Sequence, residues 1–472
     1  MAVTALREQS GEEEREVDAL VARARVAQAR YVHCATQQRY DRAAFAAGWA
    51  LMQPQRNAEL AQMAVATTGL GNVADKITKN HRKTLGLLRD IRHARTCGVI
   101  GEERGVTRIA RPAGVVGAVV PSTNPVATPT NNVINALKTG NAVILSPSPK
   151  GVQVCEKLVG YIHAELEKTS ADRDLVQMVP APVSKVKAQR LMEAVDILVV
   201  TGSRNNVQRA YTSGTPAIGV GVGNVTVIVD ETADLQDAAA KITASKIFDN
   251  STSCSSENAL VVVDSVYHDF LKALHAEGGR LLKGNDERKL REALFRPEGL
   301  NRTMIAADIA TVLEQAGLPA DEGAKFLLIE GRGIGAEHAE SGEKLSLVAG
   351  LYRARDFEHA RQLTAEILAY EGAGHSIGIH TLDHDRALVL GHDMPTCRVI
   401  VNQAHCFATG GAFDNGMPFS LSMGCGTWGG NSIDDNFNYT HLMNITKVVR
   451  TIEPDEPALD DIFADHWAIA GR

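Results

Sequence analysis

Cys254 stands in the stretch FDNSTSCSSENAL (residues 248–260), among serine, threonine and asparagine. A thiol ordinarily titrates near pH ~8.5, so only a few per cent is thiolate at neutrality, yet that fraction is a strong nucleophile towards a carbonyl carbon. The chain has seven cysteines (34, 97, 155, 254, 397, 406 and 425), an odd, scattered set without a C-x-x-C pair. That pattern argues against a disulfide framework or a zinc ribbon, and His405 beside Cys406 lacks the common zinc spacings, so no metal site is expected. Attack on a carbonyl creates an oxyanion, which needs a donor fixed in advance. Asn124, in PSTNP at the end of an apolar run, offers a carboxamide for that purpose; shaping the turn before Pro125 is its bland alternative. VVTGS (199–203) ends another apolar run and leads into RNNVQRAY. Thr201, Gly202 and Ser203 are thereby expected at a helix N-terminus, where N–H groups and the dipole favour a pyrophosphate.

The elements that must hold these groups are legible as periodicities. Residues from about 12 to 95 keep apolar side chains at helical spacing and predict long helices packed on a neighbouring sheet. From residue 115, Val/Ile runs (VVGAVVP, NAVILSP, LVQMVP, DILVVTGS) alternate with amphipathic segments, the pattern of parallel strands buried on both faces of a doubly wound sheet. GVGVGN (219–224) superficially matches a dinucleotide fingerprint, but VTVIVD after it is a strand. Its glycines, Gly221 among them, are read as a close-approach bend under the site. A second α/β region follows from about 258 to 430. At 472 residues, two domains are expected: a cofactor-binding unit over 1–236 with N-terminal helices, a catalytic unit over 237–430 carrying Cys254, and a segment 431–472 returning to the first unit or to an oligomer interface. Apolar residues make up 44 %, charged residues 22 % and aromatics 5 %, with 41 glycines, which suits an α/β enzyme. The net charge of −7, without a basic run or an apolar span of membrane length, speaks against nucleic-acid or membrane partners and for a cytoplasmic protein.

Taken in order, PSTNPVATP, KTGNAVILSPSPKG, SGTPAIGVGVGN, SKIFDNSTSCSSENALVVVDSVY, EKLS, EGAGHSIGIHT, CRVIVN and GCGTWGGNSI resemble the CoA-acylating branch of the aldehyde dehydrogenase superfamily across roughly residues 15–450. The resemblance implies an aldehyde dehydrogenase-like fold, a Rossmann-like cofactor domain beside an α/β catalytic domain, in a homodimer or homotetramer. It implies that Cys254 is the nucleophile, that Asn124 and the nucleophile's own N–H hold the oxyanion, and that hydride from the thiohemiacetal passes to a nicotinamide. Ser122, Thr123, Ser146, Thr201, Gly202, Ser203 and Gly221 are the implied cofactor contacts, and Glu343 of GEKLS matches the carboxylate that holds the nicotinamide ribose. Where many relatives carry a glutamate for the adenosine ribose, SPSPKG (146–151) has none, and Ser148 and Lys150 suit a 2′-phosphate. NADP is therefore favoured over NAD. Hydrolytic relatives carry a water-activating glutamate in an E-L-G-G stretch. The corresponding AIGVGVGN has no acid, so a Cys254 thioester is expected to persist until the thiol of coenzyme A takes the acyl group. His375 of GAGHS is a candidate to assist thiol exchange, or a packed loop histidine. The implied substrate is a small aldehyde, first sulfoacetaldehyde, with succinate semialdehyde or acetaldehyde as alternatives and a hydrolytic dehydrogenase as the rival reaction. For an anionic substrate, Arg398, Lys246 and the hydroxyls of Ser251, Thr252 and Ser253 are the candidate partners.

Overall fold

The computed structural model describes residues 2–472, with side chains from Ser10 onward. Four helices open the chain: α1 (Ala2–His33), α2 (Gln37–Met52), α3 (Pro54–Thr68) and α4 (Val73–Ile91). Strands β1 (Gly98–Glu103) and β2 (Val106–Pro112) form an antiparallel arm. There follow β3 (Val115–Val120), α5 (Ala127–Lys138), β4 (Ala142–Pro147), α6 (Val152–Glu167), β5 (Val176–Met178), α7 (Lys185–Ala194), β6 (Ile197–Val200), α8 (Arg204–Tyr211) and β7 (Ala217–Gly219). These five strands make a parallel sheet in the order β5-β4-β3-β6-β7. Every residue of β3 and β4 is buried, as continuous Val/Ile/Ala runs require, each Val or Ile contributing roughly 1.5–3 kcal/mol on removal from water. α1 lies against this sheet, where Arg25 bonds Asp196, while α2 packs on α5 and α6 as an outer layer.

The second unit comprises β8 (Val225–Val229), α9 (Leu235–Ile247), β9 (Glu257–Val263), α10 (Tyr267–Glu277), β10 (Gly279–Leu281), α11 (Gly284–Leu294), the hairpin β11 (Phe295–Arg296) and β12 (Gly299–Leu300), α12 (Ile309–Gln315), β13 (Phe326–Glu330) and β14 (Val348–Ala354). It continues through α13 (Phe357–Tyr370), β15 (Ile377–His380), α14 (His384–Asp393), β16 (Val399–Val401) and α15 (His405–Ala408). Its seven parallel strands run in the order β10-β13-β14-β9-β8-β15-β16. β8 is hydrogen-bonded to β9 and β15, so the chain leaves the first sheet between Gly219 and Val225, ahead of residue 236. Phe437 and Leu442 return to the core of the first unit, and β17 (Met443–Val449) pairs with β2 to complete a three-stranded arm, followed by an exposed helix α16 (Leu459–Ala470). No described helix is long and apolar enough to cross a membrane.

Candidate active site

The carboxyl ends of β3, β4 and β6 face the loop between α9 and β9 across a cavity of about 670 Å³. Ligands in parallel sheets bind at such strand ends. Cys254 lies on that loop, and the loop's shape has a specific origin. Asp249, Asn250 and Ser251 have φ of 50°, 53° and 62°, three consecutive left-handed residues that are not glycine. Each costs roughly 1–2 kcal/mol. The Asp249 carboxylate offsets this: it is fully buried, accepts from Lys76 Nζ at 3.0 Å, from Lys79 Nζ at 2.5 Å and from Thr252 Oγ1 at 2.7 Å, and caps the backbone N–H of Asn72 at the start of α4. Burial would raise its carboxyl, but Lys79 and Lys76 outweigh that and hold it below the ordinary value. Ser251 Oγ closes the turn on Lys246 O at 2.8 Å.

Lys79 also reaches Asn124, donating to Oδ1 at 3.0 Å. An ammonium only donates, so this bond fixes which end of the amide is oxygen. The NH2 group is thus free for an oxyanion, and Asn124 shares the cavity wall with Cys254. His375, buried behind the thiol, places Nε2 3.3 Å from Cys254 Sγ and Nδ1 2.8 Å from Ser376 Oγ. Burial, then Arg398 and His405, push the imidazole down to about 3, while burial and then Glu343 push the Cys254 thiol up to about 12. The resting pair is therefore neutral thiol and neutral imidazole, with the ring nitrogen in reach of the sulfur-bound proton.

Two glycines of GVGVGN lie under cysteines of the site, Gly223 under Cys254 and Gly221 under Cys425. A Cβ on Gly223 would stand 2.8 Å from Cys254 Cβ and nearer still to its carbonyl oxygen, and one on Gly221 would stand 2.6 Å from Cys425 Sγ. Only a bare backbone fits there. On the far wall, Ser203 caps α8 by accepting from Asn206 N at 3.4 Å, which sets Thr201, Gly202 and Ser203 at a helix N-terminus facing the cavity. Ser122, Thr123, Ser146, Ser148 and Glu343 line the same cavity. Two of them hold buried polar atoms without a hydrogen-bond partner, Ser148 Oγ and Glu343 Oε1, as a ligand rich in hydroxyls would require. Burial, then Glu371, push Glu343 up to about 8, so it is protonated at neutral pH. It is the one carboxylate among the described residues that line the cavity.

Some expected residues fall elsewhere. Lys150 is exposed in the turn before α6 and does not line the cavity; the lining cations outside α4 are Lys185 of α7 and Arg209 of α8. Arg398 is buried and donates to His375 O, Gly424 O and Asn436 Oδ1, tying the loop that carries His375 to the 424–436 segment. Lys246 is buried and donates to Glu257 O, away from the cavity, and Ser251 is spent on its turn; Thr252 and Ser253 do line the cavity. The cations beside Cys254 are instead Lys79, Arg82 and Lys83 of α4. In KITKNHRK the lysines Lys76, Lys79 and Lys83 fall on the buried stripe of α4 with Asn80, Leu87 and Ile91.

Residues 4–293 match the aldehyde dehydrogenase family. The chain is 53 % identical to sulfoacetaldehyde dehydrogenase (acylating) of Cupriavidus necator over 97 % of its own length and 93 % of that protein. Its fold is similar to that of an acetylating aldehyde dehydrogenase from Geobacillus thermoglucosidasius, with a TM-score of 0.91 and 31 % identity over 95 % of this chain and 99 % of that one. A Rhodopseudomonas palustris propionaldehyde dehydrogenase, solved with bound CoA and an acylated cysteine, superposes with a TM-score of 0.83 at 25 % identity over 92 % and 97 % of the two chains. With a parallel α/β fold, a cysteine on the β-strand connection and a match of this extent, the chain belongs to the aldehyde dehydrogenase family.

Proposed function

We propose that the protein is an NAD(P)-dependent, CoA-acylating aldehyde dehydrogenase and that its substrate is sulfoacetaldehyde. The observation that carries this reading is the wall around Cys254: its single carboxylate, Glu343, is protonated near neutrality, so no ionised carboxylate is ready to activate water against a thioester. Likeness to an acylating sulfoacetaldehyde dehydrogenase supports the substrate.

In this reading His375 Nε2 orients the Cys254 thiol for addition of sulfur to the aldehyde carbon, and Asn124, oriented by Lys79, donates to the oxyanion. When bound, a nicotinamide nucleotide would supply the hydride acceptor that this oxidation needs. Glu343 and Ser148 would meet its ribose hydroxyls or a 2′-phosphate, and Thr201, Gly202 and Ser203 its pyrophosphate. NADP is preferred, because no carboxylate stands at the end of β4 to repel a 2′-phosphate while Lys185 and Arg209 line the same cavity. The thiol of CoA then attacks the thioester carbon, releasing Cys254. The net reaction is aldehyde, CoA–SH and NAD(P)⁺ giving acyl-CoA, NAD(P)H and H⁺. We further read residues 1–219 with 431–449 as the cofactor unit, 225–430 as the catalytic unit, the exposed arm of β1, β2 and β17 as the contact of a homodimer or homotetramer, and the cytoplasm as the site of action.

The test is a CoA-dependence assay with sulfoacetaldehyde and both cofactors, with mass spectrometry of the product. Expected are sulfoacetyl-CoA, a lower KM for NADP, and no more than one turnover per site without CoA. Full steady-state turnover without CoA would overturn the acylating reading.

A further inference from the structure

Four cationic side chains of α4 point towards the site, and three of them are already committed. Lys76 bonds Asp249 and Thr123 O; Lys79 bonds Asp249, Thr252 and Asn124; Lys83 donates to Gly410 O at 2.5 Å. The fourth, Arg82, has no hydrogen-bond acceptor and no ion-pair partner among the described residues. It is half-buried, lines the same cavity as Cys254, and lays its guanidinium 4.7 Å from the centroid of the Phe407 ring. Leaving a guanidinium partly desolvated without an anion is costly, which ordinary packing avoids.

The register is informative. Lys79 marks where the reaction centre meets α4, since it touches both Asn124 and Thr252. Arg82 lies three residues further, about 4.5 Å along the helix axis. The surroundings on that side, Phe248, Phe407, Leu421 and Met423, are apolar and would strengthen a charge-assisted bond. Asp414 is the acidic group whose charge reaches Arg82, and it forms no ion pair with it.

We propose that Arg82 is the specificity residue of the aldehyde pocket, binding the strong-acid anion of a short ω-anionic aldehyde, a sulfonate first and a carboxylate second, through its planar fork of N–H donors. This rests on the acylating reading above and says which group selects the aldehyde. The experiment compares Arg82→Met and Arg82→Lys with wild type in CoA-dependent assays on sulfoacetaldehyde, succinate semialdehyde and acetaldehyde. In Arg82→Met the ratio of kcat/KM for sulfoacetaldehyde over acetaldehyde should fall roughly 10²-fold, mainly through KM, as expected when a buried ionic partner is removed; Arg82→Lys should recover part of it. Equal losses on charged and neutral aldehydes, or no loss on either, overturn the proposal while leaving the acylating reading in place. A second measurement needs no turnover: isethionate should protect Cys254 of the wild type from iodoacetamide, and this protection should be lost in Arg82→Met. Protection that is equal in both proteins, or absent from both, overturns the proposal even if every aldehyde assay proves inactive.

Discussion

The two walls of the cavity are built on opposite principles. The α4 wall with the Cys254 loop is made of side chains locked by charge: Asp249 between two ammonium groups, Asn124 held by one of them, His375 wedged against sulfur. The opposite wall, at the ends of β3, β4 and β6, presents hydroxyls and a helix N-terminus, Thr201 to Ser203, with no carboxylate. Bond-making demands donors fixed within a fraction of an ångström, whereas a mobile cofactor is held by many weak, interchangeable contacts. Single substitutions should therefore weigh more heavily on the first wall than on the second.

The sharpest way to break that contrast is Cys254→Ala, which should lower acyl-CoA formation by on the order of 10⁴-fold or more in a single-turnover assay; retention of activity would move the nucleophile elsewhere. Next, Asn124→Ala should cost about 10²–10³ in kcat with little change in cofactor KM. Lys79→Met leaves Asn124 present but its amide unanchored, and a kcat loss of roughly tenfold is expected, the scale of one charge-assisted hydrogen bond. A loss in cofactor KM alone would contradict its positioning role. A still smaller effect concerns the thiol itself. Its pKa is raised in the free enzyme, so iodoacetamide should label Cys254 faster with each pH step from 7 to 10 without a plateau near 8.5. Glu343, raised to about 8, adds negative charge only above that pH. Glu343→Gln should accordingly speed labelling a few-fold at pH 9 and leave it unchanged at pH 7. At the bottom of the scale, Ser203→Ala should raise the KM for the nicotinamide nucleotide a few-fold through loss of the α8 cap, leaving kcat with saturating cofactor intact.

Much of this was readable in one dimension. Val/Ile runs bounded by turns announced β3, β4, β6, β8 and β9, because burial on both faces leaves a local signature. The glycine bend at 219–224 was likewise legible from the strand that follows it. What escaped was the wall contributed by α4. Lysine and arginine on a helix normally mark the solvent face, and nothing near residue 79 in sequence announces Asp249, 170 positions away, as the group that buries them. For the same reason Arg398 and Lys246 were candidates for substrate contact until their carbonyl partners were visible. Lys150 failed differently: it sits next to the right strand end, but the turn after β4 directs it to solvent. The passage from the first sheet to the second is equally invisible locally, since β8 reads the same in either one.

The bare backbone beneath Cys254 limits how this enzyme can change. Converting an acyl-transfer catalyst into a hydrolase asks for a carboxylate near the thioester, and the segment 219–224 is the obvious address. At Gly221 and Gly223, however, the first carbon of any side chain already collides with Cys425 or with Cys254. A side chain at Gly223 would displace Cys254, and one at Gly221 would displace Cys425, before either could offer a base. Loss of coenzyme A dependence is thus barred to single steps at these two positions, and the reaction outcome is protected by packing as well as by the lack of an acid.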